Sequence, residues 1–241
     1  MGFTDTVRTA SGSPSPGYRL PDLVTVEPGG QRVSSLSEKA YYLLRDRLIT
    51  LQLPPGSTLD ERTLQHELDI GRTPLREALR KLADERLVRV IPRRGMFASH
   101  VDLGDLSAVS EVRAELESYA GHLAATRIGV PEQANIDELI EQLDSMTECA
   151  TSGELIQLDL RIHRRVYEAT RNTYLARTLE EYYLHSLRMW FLVLDRVEHL
   201  ANAVTSHREL LEAVRSGEAD AAEHILRKHV AGFEQEVRAV L

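Results

Sequence analysis

Asp159 and His163 stand four residues apart in a stretch of helical periodicity, so both project from one helix face. Ile156 and Val166 share that face, which turns the pair toward an apolar interior. His207 shares a face with Leu210, Leu211 and Val214, and His229 with Leu226, Val230 and Phe233. One carboxylate and three imidazoles buried without partners would cost several kcal/mol. A divalent cation removes that cost. Three neutral imidazole nitrogens and a carboxylate suit zinc foremost, with nickel, iron or manganese as alternatives. The bland alternative is a set of ordinary core or interface histidines. Among the other histidines, His224 lies roughly 140° around the helix from His229 and points elsewhere. His122, His185 and His199 lack such a constellation. Arg113, between Val109 and Leu116, could offer its fork of donors to an organic anion, or pair with Glu117 one turn on. With a cation beside it, the implied ligand is a small organic carboxylate. Cys149 is the sole cysteine, which excludes an intrachain disulfide and a cysteine-based zinc site. It reads as a packing residue.

A second concentration of chemistry is basic. The net charge is −8, yet residues 35–100 carry net +3 and residues 101–241 net −11. Within residues 72–94 there are eight basic and three acidic side chains. Leu75, Ala78, Leu79 and Leu82 form one face of a helix there, which leaves Arg72, Thr73, Arg76 and Arg80 on its start and outer side. An arginine fork can grip guanine O6 and N7 together, or bind phosphate. Arg93 and Arg94 sit at a hairpin tip, where they would meet a phosphate backbone or minor groove. Arg62 opens the preceding helix, as a DNA contact or as a surface ion pair.

The elements that must position these residues follow from periodicity and punctuation. Residues 1–34 contain Ser-Gly-Ser-Pro-Ser-Pro-Gly and Pro-Gly-Gly and read as a flexible tail. Residues 35–101 predict a winged helix-turn-helix. One helix starts near Ser35 and runs to about Leu51, a second follows Asp60 as N-cap, and a third opens with Thr73 as N-cap and Pro74 first. Two short strands then flank Pro92-Arg93-Arg94-Gly95. Residues 102–241 predict an all-helical bundle of six helices, near 104–128, 132–149, 153–170, 173–198, 200–216 and 218–240. The fold class is therefore mainly α. No apolar run is long enough for a membrane helix, and Met1–Ala10 lacks a signal-peptide core. A cytoplasmic location and no membrane partner are expected.

Leu53–Arg62, then Gly71-Arg72-Thr73-Pro74-Leu75-Arg76-Glu77-Ala78-Leu79, then Leu82, Leu87-Val88 and Pro92-Arg93-Arg94-Gly95, resemble the GntR family of bacterial regulators. The resemblance spans the whole 35–100 block. It implies DNA contacts from Arg62, Arg72, Thr73, Arg76 and the wing-tip Gly95. Two departures stand out. Gly71 occupies the position of a usual Ser or Thr, which removes one hydroxyl available to phosphate. Glu85-Arg86 replaces a usual Glu-Gly before the wing, where a slightly different turn is expected. Residues 104–241 resemble the FadR-type branch with its helical FCD domain, through Glu111–Glu117, Asp159-Leu160-Arg161-Ile162-His163, Arg171-Asn172 and two late histidines. That resemblance assigns Asp159, His163, His207 and His229 to the family's metal site.

The expectation is a homodimeric, non-enzymatic regulator, a repressor that a ligand releases from a pseudo-palindromic duplex operator. Two rivals are a DNA-binding protein whose metal is purely structural, and a metal-dependent hydrolase. The hydrolase leaves the basic block without a purpose.

Overall fold

The computed structural model describes residues 33–145, 152–193 and 201–240. The expected tail within residues 1–32, Cys149, His199 and the break at residue 151 lie outside the described residues.

The chain begins with α1 (Leu36–Ile49), α2 (Glu61–Leu68) and α3 (Arg72–Asp84), then β1 (Val88–Ile91) and β2 (Gly95–Ala98). Ser35 caps α1 by accepting from the Glu38 amide at 3.1 Å, and Asp60 caps α2 by accepting from the Thr63 amide at 2.8 Å. α2 stops at Asp69, whose left-handed φ of 51° starts the short turn. α3 starts two residues earlier than the sequence suggests. Gly71, not Thr73, is its N-cap, with no side-chain cap bond, and Pro74 occupies the third helical position. Amides of the first turn have no partner within the helix, so a proline there forfeits no bond. The apolar stripe Leu75, Ala78, Leu79 and Leu82 is buried, as its spacing requires.

β1 and β2 pair antiparallel with Val88 opposite Ala98 and Ile91 opposite Gly95. The segment before α2 supports the wing: the Gly56 amide donates to Ala98 O and the Leu59 amide to Met96 O, each at 2.9 Å. Gly95 turns at φ 106° with nothing within 4 Å of where a Cβ would stand. Arg86 adopts φ 61°. The turn before the wing thus takes a glycine-like conformation with an arginine in it, at a steric cost of about 1–2 kcal/mol.

Six helices follow: α4 (Leu103–Arg127), α5 (Val130–Ser145), α6 (Ser152–Ala169), α7 (Thr173–Val193), α8 (Ala201–Arg215) and α9 (Ala219–Val240). α4 runs along α9 so closely that a Cβ on Gly121 would stand 2.9 Å from Ala222 O. α7 is buried nearly all round, through Leu179, Tyr183, Leu187, Trp190, Phe191 and Val193. One apolar core runs from α1 and α3 through α4, α6 and α7, and a second occupies the space among α4, α5, α6, α8 and α9.

The seam between the first three helices and the bundle is polar as well as apolar. Arg188 of α7 is buried and donates from Nε to Leu48 O at 3.2 Å and from Nη2 to Ser99 O at 2.6 Å. His185 Nε2 lies 2.9 Å from Glu85 O. Arg45 of α1 is buried beside the Tyr42 ring and 3.6 Å from Asp46. Burial pushes the Asp46 carboxyl up to about 7, although Arg45 and Arg164 pull the other way. No helix among the described residues is long and apolar enough to cross a membrane.

Candidate functional site

Two regions gather the residues singled out above. In the first, α3 stands on α2 with its inner face in the core, so its outer face and N-terminus are left to solvent. Arg62, Arg72, Thr73, Arg80, Arg94 and Gly95 are exposed, and Arg76 is half-buried. Arg72 and Arg76, one turn apart, share a single carboxylate. Glu61 Oε2 lies 3.8 Å from Arg72 Nε, and Glu61 Oε1 lies 3.3 Å from Arg76 Nε. Lys81 instead lies over the Tyr41 ring at 3.6 Å, which ties its charge back to the fold. The hairpin closes through the Arg94 amide donating to Ile91 O at 3.0 Å, and Arg93 and Arg94 are held out at its tip. A helix N-terminus with exposed guanidiniums beside a basic hairpin has the shape and charge to meet a duplex groove and its flanking phosphates.

In the second region, α6 supplies Asp159 and His163, α8 supplies His207 and α9 supplies His229. One ligand atom from each lies within 4.8 Å of all the others. His163 and His207 are buried. The His207 and His229 rings are 4.6 Å apart, and the His163 ring is 5.2 Å from that of His229. His207 Nε2 lies 3.1 Å and His163 Nε2 3.8 Å from Asp159 Oδ1. Neither of these buried Nε2 atoms has a hydrogen-bond partner within geometric limits. Buried polar atoms without partners are rare, and here two of them aim at one carboxylate. The donor set fits a divalent cation. Burial and the neighbouring imidazoles hold His229 well below the ordinary histidine range, hence neutral and ready to ligate. The surrounding imidazoles hold Asp159 below the usual carboxylate range against its burial, hence ionised.

Behind these donors stands a layer that the sequence disclosed only in part. Glu117 of α4 is fully buried. Its Oε1 accepts from Arg113 Nε at 2.6 Å, and its Oε2 lies 3.2 Å from His163 Nδ1. Arg113 holds the Glu117 carboxyl far below its usual range despite the burial. Of the two expectations for Arg113, the pair with Glu117 forms. Arg113 also lines the cavity beside the histidines. The Tyr183 hydroxyl donates to Asp159 Oδ2, and Ser206 Oγ lies 3.2 Å from His229 Nδ1. Carboxylates and hydroxyls on the far nitrogen of an imidazole fix its tautomer and aim its free nitrogen. Glu117 was visible as a partner for Arg113. Its approach to His163 was not, because it depends on α4 packing against α6.

The cluster opens on a cavity of about 540 Å³, whose apolar wall includes Trp190, Phe233 and Ile156. Trp190 and Phe233 lie 5.5 Å apart, ring centre to ring centre. Two of the other histidines need correction. His224 does not join the four donors, but it does line this cavity with Lys228. His122 is not isolated: it lies 3.3 Å from Glu223 and 3.7 Å from Asp220, a part-exposed group between α4 and α9. The sequence signal was missing there because the partners lie about a hundred residues away.

Comparison with known proteins defines the class. Residues 36–98 match the bacterial regulatory proteins of the gntR family, and residues 108–232 match the FCD domain. The chain belongs to the gntR family, in the group that carries an FCD domain, and is a DNA-binding transcriptional regulator, not an enzyme. It is similar to the HTH-type transcriptional repressor RspR of Escherichia coli K12, at 21% identity over 90% of this chain and 95% of that protein. It is also similar to the E. coli HTH-type transcriptional repressor GlaR, at 27% identity over 79% of this chain and 90% of that one. Among solved structures, E. coli McbR/YncC shares the fold with a TM-score of 0.75 at 22% identity, over 86% of this chain and 99% of that one.

Proposed function

We propose that the protein is a repressor whose hold on a pseudo-palindromic operator is set by a small organic carboxylate, bound beside a divalent cation in the cavity between α6, α8 and α9. The observation that carries this reading is the pair of buried imidazole nitrogens that converge on Asp159 without a hydrogen bond, at the wall of a cavity of about 540 Å³. Asp159, His163, His207 and His229 would hold the cation, zinc foremost. The cation would supply the positive charge that draws in a carboxylate head group. Arg113 stands at the same cavity and adds its charge to the head-group end. Glu117 and Tyr183 keep His163 and Asp159 aimed.

DNA is read by Arg72, Thr73 and Arg76 at the start of α3, with Arg62, Arg94 and Gly95 on the flanking backbone or minor groove. Two copies of the chain, as a homodimer, present two such heads to the two halves of the operator. α7 supports a coupling between the sites. Its Tyr183 and Trp190 line the cavity, while its His185 and Arg188 bond to the backbone of the head. An occupant that shifts α7 therefore favours one placement of the heads over another, which is what allosteric control requires.

The test is calorimetry on protein stripped by chelator, then loaded with zinc, then titrated with a panel of organic acids. The expected outcome is one zinc per chain and measurable binding of at least one acid to the zinc-loaded form alone. A large chelator effect on melting temperature with no acid response would leave a purely structural metal and overturn the effector reading.

A further inference from the structure

Most of the basic residues near the head's outer surface are free of carboxylates. Arg80, Arg93 and Arg94 take part in no ion pair among the described residues. Arg47 pairs with Glu67 at 2.6 Å, away from α3, and the two arginines read above as groove contacts are both tethered by one side chain. Glu61 is the first residue of α2, directly after its Asp60 cap, and its side chain is only 26% exposed. Its two oxygens stand 3.8 Å from Arg72 Nε and 3.3 Å from Arg76 Nε. Arg76 Nε is itself buried without a hydrogen bond, so the attraction is ionic. Neither guanidinium hydrogen-bonds to another described residue.

We propose that Glu61 is a positioning residue for DNA readout, whose carboxylate restrains Arg72 and Arg76 from the Nε side and leaves their terminal nitrogens for the groove. The physical reasoning has two parts. A flexible arginine loses rotamer freedom when it docks on a base, and a tether made before binding reduces that loss. A carboxylate between two guanidiniums also cancels part of their charge, which weakens attraction to phosphate of any sequence. Base contact gains from the first effect and suffers little from the second, because bidentate geometry rather than net charge sets it. Glu61 thus raises the preference for the right sequence over arbitrary duplex.

This inference rests on the reading of Arg72 and Arg76 as groove contacts, so the experiment separates the two. The native chain selects a duplex from a random pool, and a scrambled duplex of the same composition serves as reference. Affinities for both are measured across a salt series for the native chain and for E61Q, R72A and R76A. E61Q is expected to bind the scrambled duplex about threefold tighter and the selected one about threefold weaker, so the ratio falls about tenfold. Its salt dependence on the scrambled duplex should steepen by up to about one ion. A ratio unchanged in E61Q overturns the proposal. If both affinities fall together with the melting temperature, Glu61 serves only the start of α2. If both rise together, it only repels phosphate. R72A and R76A that bind the selected duplex like the native chain would instead overturn the groove reading itself.

Discussion

The head and the bundle hold charge in opposite ways. Around α3 the arginines are exposed or half-buried, outnumber their carboxylates and keep charge turned to solvent. Around Asp159 and Glu117 the charges are mostly buried, nearly every one faces a named opposite, and the two imidazole nitrogens left without a hydrogen bond both aim at Asp159. A site for a polyanion gains from excess charge in water, where steering and counterion release act. A site for a small ligand gains from an arrangement fixed in advance, where burial strengthens each interaction and makes each orphaned atom costly.

The sharpest way to break this contrast is to remove a buried donor. H163A or H207A should weaken zinc binding by about a hundred- to a thousandfold. E117Q, one step removed, should weaken it about ten- to a hundredfold by calorimetry. If both classes of variant bind zinc like the native chain, the buried cluster is only packing.

The seam between the two regions carries the next effect. The Asp46 carboxyl titrates near 7 when folded, above its unfolded value. Its contribution to stability is therefore fully present below about pH 4, falls as pH rises, and is lost above about pH 7. D46N cannot ionise. Relative to the native chain, D46N should gain on the order of 2–3 kcal/mol in unfolding free energy between pH 5 and pH 8. Denaturant melts at both values check this, and a pH-independent difference would contradict it.

In the head, R76A should cost about 1–3 kcal/mol of operator affinity and relax sequence preference, while R94A should weaken all duplexes alike. Gel-shift titrations against the selected and scrambled duplexes distinguish the two patterns. The smallest effect belongs to the turn before the wing. R86G removes the left-handed strain at φ 61° and should stabilise the chain by about 1 kcal/mol without altering zinc binding.

The contrast also explains what the sequence made legible. The head is encoded locally: a cap, a short turn, a four-residue apolar spacing and a hairpin tip lie within about sixty residues. Its one misplacement, Thr73 for Gly71 as the cap of α3, arose because side-chain chemistry favours threonine, whereas the extended backbone at Gly71 decides it. The bundle cluster spans some seventy residues. It showed itself because Asp159 and His163 are i, i+4 and because each late histidine shares a face with apolar neighbours. Glu117, Tyr183 and Trp190 gave no such signal. Tyr183 and Trp190 belong to a helix buried on nearly every side, where no face is marked. The role of Glu117 exists only once α4 and α6 meet.

The most direct test of the account is operator affinity measured with and without zinc and the acid panel, for the native chain and for H207A. The account predicts that at least one acid lowers native operator affinity by roughly five- to 150-fold, and only when zinc is present. It predicts no such response in H207A. A native chain whose operator affinity ignores both zinc and every acid would contradict the claim that the buried cluster governs the exposed one.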